Sequence, residues 1–407
     1  MTPTDPPLIM PSAMEPMRLG ARSRHLERLT DLSFELKDAS DRLRYGLPKS
    51  LVSGIADLVR SMNCYYSNLI EGHDTHPADI ERALADDYST DPEKRDLQRE
   101  ARAYISVQSW LDAGDLPDVP TSEATIRAIH ARFYQELPED LRWVQHAETD
   151  ERSEVIPGAY RERGVRVGRL DPVPGEAIPR MMARFDAAYR DLGQTNAVLA
   201  VPAAHHRLLW IHPFLDGNGR VARLMTHAML GRALNTGNIW SAARGLARAD
   251  ADYKQHLQAC DGPRRGDHDG RGALSEAALA EFSAFFLETC LDQVRFMEDL
   301  VEPGRLRARV LGWARREIEA RRLPPKSDVL LGPLLNEEAL ARAEIPRILD
   351  VTPRHARRVV SALRDAGIVA ETDPALHNAP YRLAFPATLA SDWMPGLFPP
   401  ERDSRKR

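Results

Sequence analysis

His212-Pro213-Phe214-Leu215-Asp216-Gly217-Asn218-Gly219-Arg220, closed by Arg223, is the stretch on which the reading of this chain turns. It sets an imidazole, a carboxylate, a glycine-flanked turn and two guanidinium groups within twelve residues. Upstream, Ala203 to Ile211 (AAHHRLLWI) reads as an apolar helix. A residue that precedes proline is pushed out of the right-handed helical region, so this helix is expected to end at His212, with its imidazole facing a loop. Imidazole titrates near neutral pH, which suits a general base that must collect a proton from a hydroxyl. Phe214 is expected to turn inward and anchor the loop. Gly217-Asn218-Gly219 lets the backbone aim its N–H groups at one spot, an anion-binding nest. A second helix then begins, with Val221, Leu224 and Ala228 at helical spacing. Its amino end is partly positive and attracts phosphate. Arg220 and Arg223 share a face near that end and can grip phosphate oxygens bidentately. Asp216 is a hard oxygen ligand, suited to a Mg²⁺ ion that keeps most of its waters and bridges phosphates. Together these groups imply a nucleoside triphosphate held beside a reactive hydroxyl. No phosphate-binding G-x-x-x-x-G-K-[ST] loop or strand-plus-GxGxxG fingerprint competes for that ligand.

The stretch resembles the signature of the Fic family (Fido fold), H-x-F-x-[D/E]-G-N-[G/K]-R-x-x-R, at every fixed position. The resemblance implies a mainly α fold, the Fic helical fold with a short β-hairpin flap. It also implies transfer of AMP from ATP to a Ser, Thr or Tyr hydroxyl of a target protein. By the same resemblance His212 deprotonates that hydroxyl, and Asp216 holds Mg²⁺ (or Mn²⁺) on the phosphates. Gly217, Asn218 and Gly219 form the anion hole, Arg220 takes the β-phosphate and Arg223 the γ-phosphate. Val221 and Ala222 complete the nucleotide-binding run. The family's Doc-like kinases carry Lys where this chain has Gly219, so Gly219 favours AMP transfer over phosphate transfer.

A second match lies upstream. Leu51, Ile55, Leu58, Val59, Met62, Tyr65, Tyr66, Leu69 and Ile70 recur at helical spacing, Gly72 is a helix stop, and Pro77 opens the next helix. Ser67-Asn68-Leu69-Ile70-Glu71-Gly72 resembles the family's inhibitory motif, [S/T]-x-x-x-E-[G/N]. A Glu in a last helical turn opposes the helix dipole and gains from a cationic partner. The resemblance names that partner as Arg223, which implies a chain inhibited by its own Glu71, a class II member. A third match runs from Ile156 to Arg161 and from Val165 to Leu170. Val165 and Val167 alternate with Arg166, as in a short hairpin. In the family this hairpin is a flap that holds a target segment by strand addition. The resemblance lays Val167, Gly168, Arg169 and Leu170 along the nucleotide. Tyr253 and Asp261 occupy the places of an adenine-contacting Tyr and Asn. Asp261 departs from that Asn, since a carboxylate cannot donate to a ring nitrogen.

The 407 residues carry 55 Lys plus Arg against 60 Asp plus Glu, a net charge of −5, so nothing draws the whole chain toward nucleic acid. That length suits two or three domains. Cys64, Cys260 and Cys290 are scattered, which fits a reducing, cytoplasmic setting. No apolar run is long enough for a membrane span, and the first residues lack the build of a signal peptide. We divide the chain into a loose Pro- and Met-rich arm over 1–20, a helical region over 21–115 with Glu71, and a catalytic unit over 120–290. Within the last, Gly262 to Gly272 (GPRRGDHDGRG) is expected to be a solvated loop.

Residues 304–395 form a further unit. Gly304 to Arg322 reads as an Arg-rich helix, and Leu340 to Ile368 as helix, turn, helix. Thr352-Pro353 is an N-cap followed by proline at the first helical position. Ile368 to Glu371 and Tyr381 to Phe385 read as two strands around a turn near Pro374. This resembles the winged-helix (α+β) domain often appended to Fic proteins. Arg354, His355, Arg357, Arg358 and Arg364 lie on or beside its recognition helix, where they could meet phosphates. The sequence leaves open whether that unit contacts duplex DNA or a protein, including a second copy of the chain. It also leaves open a DNA-binding regulator with a Fic sensor, and an enzyme that both adds and removes AMP.

Overall fold

The computed structural model describes residues 9–145, 151–167, 170–373 and 375–399; the expected flap residues Gly168 and Arg169, and Pro374, lie outside them. In chain order the helices are α1 (Leu26–Tyr45), α2 (Lys49–Ile70), α3 (Pro77–Leu84), α4 (Pro92–Ala113), α5 (Glu123–Glu136), α6 (Ile178–Tyr189) and α7 (Gln194–Ile211). They continue as α8 (Asn218–Leu234), α9 (Ala242–Arg248), α10 (Asp250–Cys260), α11 (Glu276–Leu300) and α12 (Pro303–Glu319). The remainder are α13 (Ser327–Leu334), α14 (Ile345–Leu349), α15 (Pro353–Asp365) and α16 (Ala390–Trp393). Two antiparallel pairs complete the fold. Strand β1 (Trp143–Gln145) pairs with β2 (Arg152–Glu154), and β3 (Val369–Glu371) pairs with β4 (Tyr381–Leu383).

Local chemistry explains the helix limits. Asp91, Ser122, Ser275 and Thr352 each accept a hydrogen bond from a first-turn N–H and start α4, α5, α11 and α15. Helix α2 stops because Gly72 takes φ 88°, a left-handed conformation that costs glycine little. Helix α7 begins at Gln194 and runs through Pro202, nine residues before the start expected from the sequence. An internal proline costs about 3 kcal/mol. Val198, Ala200, Val201 and Pro202 are all buried, and that burial outweighs the proline.

One apolar core joins most of these elements. Helix α7 packs on α8, α1 on α11, and α2 on α4 and α9, while α4 also meets α5 and α8. The region over 21–115 is therefore woven into the catalytic unit rather than laid beside it. The expected loose arm is also corrected for residues 9–20. Met14 and Met17 are buried, Arg207 donates to the Pro16 carbonyl, and Arg184 pairs with Glu15. The two methionines supply apolar area that ties the segment down.

The C-terminal elements give helix, turn, helix (α14 and α15) followed by the β3–β4 hairpin. This lobe seats on α2 and α3. A Cβ on Gly54 would lie 2.8 Å from the Leu383 carbonyl, so only glycine lets the lobe approach there. Arg382 Nη2 reaches Asp57 Oδ2 at 2.9 Å, and Tyr66 Oη donates to the Leu397 carbonyl at 3.0 Å. Among the described residues no helix is long and apolar enough to cross a membrane, and all three cysteines are buried and free.

Candidate active site

The site lies where α7 ends and α8 begins. His212 closes α7 as expected, with φ 51° and ψ 62°. That left-handed conformation is costly for a residue with a Cβ, about 1–3 kcal/mol, and persists only where the surroundings enforce it. Its Nδ1 is buried without a hydrogen-bond partner among the described residues. Burial, helped by the nearby Arg161 charge, pushes the His212 pKa down to about 4, so the imidazole is neutral at physiological pH.

Phe214 is fully buried and stacks on His130 at 3.9 Å between ring centroids. His130 in turn accepts the Gly158 N–H at 2.9 Å, which ties the base of the expected flap to the loop. Asp216 is exposed, and one of its oxygens accepts from Tyr134 Oη at 2.7 Å. Gly217 has φ 76°, and a Cβ there would meet the Tyr134 ring at 3.0 Å. Both facts require glycine. The Asn218 side chain forms two hydrogen bonds to Phe214, accepting from its N–H at 3.0 Å and donating to its carbonyl at 2.8 Å. It therefore clamps the loop, and only its main chain remains for an anion. Helix α8 then presents unpaired first-turn N–H groups at its positive end. Val221 and Ala222 are buried in the core, so they too offer only main chain to a ligand.

The two arginines are already engaged. Arg223 Nη2 donates to Glu71 Oε1 at 2.5 Å, and its Nε donates to Ser67 Oγ at 2.8 Å. The Glu71 carboxylate also lies over Gly219, where any Cβ would collide with it. Burial would raise the Glu71 carboxyl, but the Arg223 and Arg220 charges outweigh it and hold the group below its ordinary range. Arg220 Nη2 donates to Glu100 Oε2 at 2.8 Å, and His73 Nδ1 approaches the same oxygen at 2.8 Å. Burial opposes the Arg220 charge, and Glu100 more than compensates. The Glu100 hydrogen bond lifts His73 above its ordinary value. Sequence reading missed Glu100, His73 and Tyr134. Glu100 stands in line with buried Tyr104 and Val107 on α4, and a charge on a buried stripe was the available signal. Buried Tyr134 carried another, since a buried tyrosine hydroxyl needs a partner.

Of the other expected residues, Tyr253 borders the site, with its hydroxyl in hydrogen-bond reach of Arg223. Tyr253 is buried, with its hydroxyl 2.7 Å from His205 Nε2. Asp261 Oδ1 is 3.0 Å from His206 Nε2 at the end of α10. Val167 and Leu170 pair as an isolated bridge, with N–H to carbonyl distances of 3.0 and 2.9 Å. The β1–β2 hairpin just before them had no expectation attached. Among the described residues no group of three or more His, Cys, Asp or Glu could hold a metal. A single exposed carboxylate with one open oxygen still fits Mg²⁺, which takes its other ligands from phosphate and water.

Comparison with known proteins agrees with this geometry. Residues 120–230 match the Fic/DOC family. A protein named Protein adenylyltransferase Fic from Nematostella vectensis is 28% identical over 227 residues, 53% of this chain and 49% of that protein. One of the same name from Drosophila grimshawi is 32% identical over 144 residues, 33% of this chain and 29% of that protein. The matched segments thus span half or less of those relatives. The crystal structure of a Fic family protein from Desulfovibrio desulfuricans G20 aligns with a TM-score of 0.51 at 16% identity, covering 90% of this chain and 98% of that one. That likeness concerns the fold alone. Residues 120–230 thus carry a Fic/DOC family match, with the complete signature at His212–Arg223 inside it.

Proposed function

We propose that this protein is an adenylyltransferase that moves AMP from ATP to a Ser, Thr or Tyr hydroxyl of a target protein. The observation that carries the reading is the constellation of a neutral, half-buried His212 beside the positive end of α8 with its two arginines. Neutral His212 accepts the hydroxyl proton as the oxygen attacks the α-phosphorus. The bond from that phosphorus to the bridging oxygen breaks, and pyrophosphate leaves. The α8 N–H groups and Arg220 hold phosphate oxygens, and Arg223 holds the γ-phosphate. Asp216 is the residue that would hold Mg²⁺ or Mn²⁺, which supplies charge neutralisation on the phosphates.

In this reading the enzyme is inhibited by its own chain. Glu71 occupies the place of the γ-phosphate on Arg223, with its carboxylate over Gly219. Incubation with α-labelled ATP and Mg²⁺ tests both parts. Glu71→Gly is expected to label protein and Glu71→Gly with His212→Ala to leave it unlabelled. Label from γ-labelled ATP instead would sink AMP transfer.

A second reading concerns the C-terminal lobe as a winged helix that binds duplex DNA. Arg354, Arg357 and Arg358 are exposed on α15, and no carboxylate pairs with them among the described residues. Arg357→Ala with Arg358→Ala should weaken salt-sensitive duplex binding in a mobility-shift titration. Unchanged binding would leave the lobe to protein contacts.

A further inference from the structure

The geometry points to Arg161 as the positioning residue for His212: its guanidinium caps the carboxyl end of α7 and fixes the loop from which the imidazole acts. The last carbonyls of a helix have no partner within it. A helix that ends on a left-handed residue usually recovers one through the N–H of the following residue. Here the left-handed residue is His212, and the following residue is Pro213, which has no N–H. The ending therefore needs an outside donor.

Arg161 supplies it. Its Nε donates to the His212 carbonyl at 2.7 Å and its Nη2 to the Ile211 carbonyl at 3.4 Å. The same guanidinium holds the Val173 carbonyl at 2.6 Å and the Arg163 carbonyl at 2.9 Å. The Arg161 main-chain N–H donates to the Pro213 carbonyl at 3.0 Å. One side chain thus ties the helix end, the loop and the segment after Gly158 together. Arg161 is only 4% exposed and has no carboxylate partner among the described residues. A buried cation satisfied by carbonyls alone is expensive, which argues for a specific task at this point.

The arrangement has an electrostatic consequence. A helix carboxyl end normally favours a protonated histidine. Arg161 takes up those carbonyls and places its own charge beside the imidazole. Of the charged groups that His212 senses, Asp216 and Glu71 favour protonation, while Arg161 and burial oppose it. Arg161 therefore helps keep the base both aimed and unprotonated.

This inference rests on His212 as the base, and the test separates the two. The full-length Glu71→Gly protein is compared with versions that also carry Arg161→Gln or Arg161→Lys. Arg161→Gln is expected to lower kcat for label transfer by roughly tenfold or more, with the ATP Kd changed by less than about twofold. The acid limb of its pH profile should move up toward the ordinary histidine value. Arg161→Lys keeps the charge, so its acid limb should stay while its rate falls part of the way. His212 ring resonances, identified by their loss in His212→Gln, should titrate at higher pH in Arg161→Gln, a readout that needs no activity. If Arg161→Gln fails to melt cooperatively, Arg161→Lys decides: a lower kcat at unchanged ATP Kd supports the proposal, and an unchanged kcat overturns it. Unchanged kcat and an unchanged His212 titration would overturn the proposal. So would a parallel loss of kcat and ATP affinity with a fixed acid limb, which marks a structural role only. Activity surviving His212→Ala would instead sink the base assignment.

Discussion

Arg220 and Arg223 lie three residues apart on the first turns of α8, yet their partners differ in kind. Arg223 is held by Glu71, which follows the last residue of α2 and precedes Gly72 at φ 88°. The Glu71 side chain is 34% exposed. Arg220 is held by Glu100, seated mid-helix on α4 and 17% exposed. A carboxylate just past a helix end can change rotamer without moving a helix, whereas one in a packed helix is more confined. On the proposed reading, the Arg223 contact is the one that can be released and the Arg220 contact the one that stays. In the proposed mechanism Arg223 is the contested residue, and Arg220 is already in place when nucleotide arrives.

The sharpest way to break that comparison is to remove each carboxylate in turn. Glu100→Gln leaves Arg220 buried without its compensating charge, and breaking such a pair costs about 3–5 kcal/mol. Its melting temperature should fall clearly and ATP should bind no better. A stable Glu100→Gln protein with improved ATP affinity would make the two arginines equivalent. Glu71→Gly should instead lower the ATP Kd by roughly 10- to 100-fold, from the loss of a charged hydrogen bond of about 1.5–3 kcal/mol, each 1.4 kcal/mol being tenfold. Isothermal titration of both proteins checks the opposite signs.

The Asp216 partner gives a smaller effect. Tyr134→Phe removes the hydroxyl that orients Asp216 and should lower stability by about 1 kcal/mol, with a weaker Mg²⁺ dependence of labelling. An unchanged Mg²⁺ titration would show that the hydroxyl does not orient the carboxylate.

His73 refines the permanent side of the comparison. Its pKa is raised in the folded protein, chiefly by the Glu100 hydrogen bond. A raised histidine stabilises the fold at pH below its unfolded value of about 6.5, and that contribution fades as pH rises through the folded value. The side chain is 37% exposed, so screening keeps the effect below about 1 kcal/mol. His73→Gln should flatten the decline in melting temperature above neutral pH. An identical decline in both proteins would remove His73 from the account.

What could be read in advance follows the range of the interactions. The His212–Arg223 loop was legible because its chemistry is written in consecutive residues. The stop at Gly72 and the cap at Thr352 were legible for the same reason. Glu100, Tyr134 and Arg161 act across 120, 82 and 51 residues of chain, and no local pattern announces such contacts. The path of α7 through Pro202 shows burial overruling a local stop signal. Residues 9–20 looked loose because their proline content was visible, while the pocket that accepts Met14 and Met17 is assembled from distant helices. The contacts of the helical region over 21–115 with α5 and α8 were hidden for the same reason. Only packing reveals that α2 and α4 lie against α8.

In the proposed mechanism Glu71 and the ATP γ-phosphate compete for Arg223. The most direct measurement is the binding of ATP and of ADP, which lacks the γ-phosphate, to the native protein and to Glu71→Gly. Removing Glu71 should raise ATP affinity strongly and leave ADP affinity nearly unchanged. Equal gains for both nucleotides, or none, would contradict it.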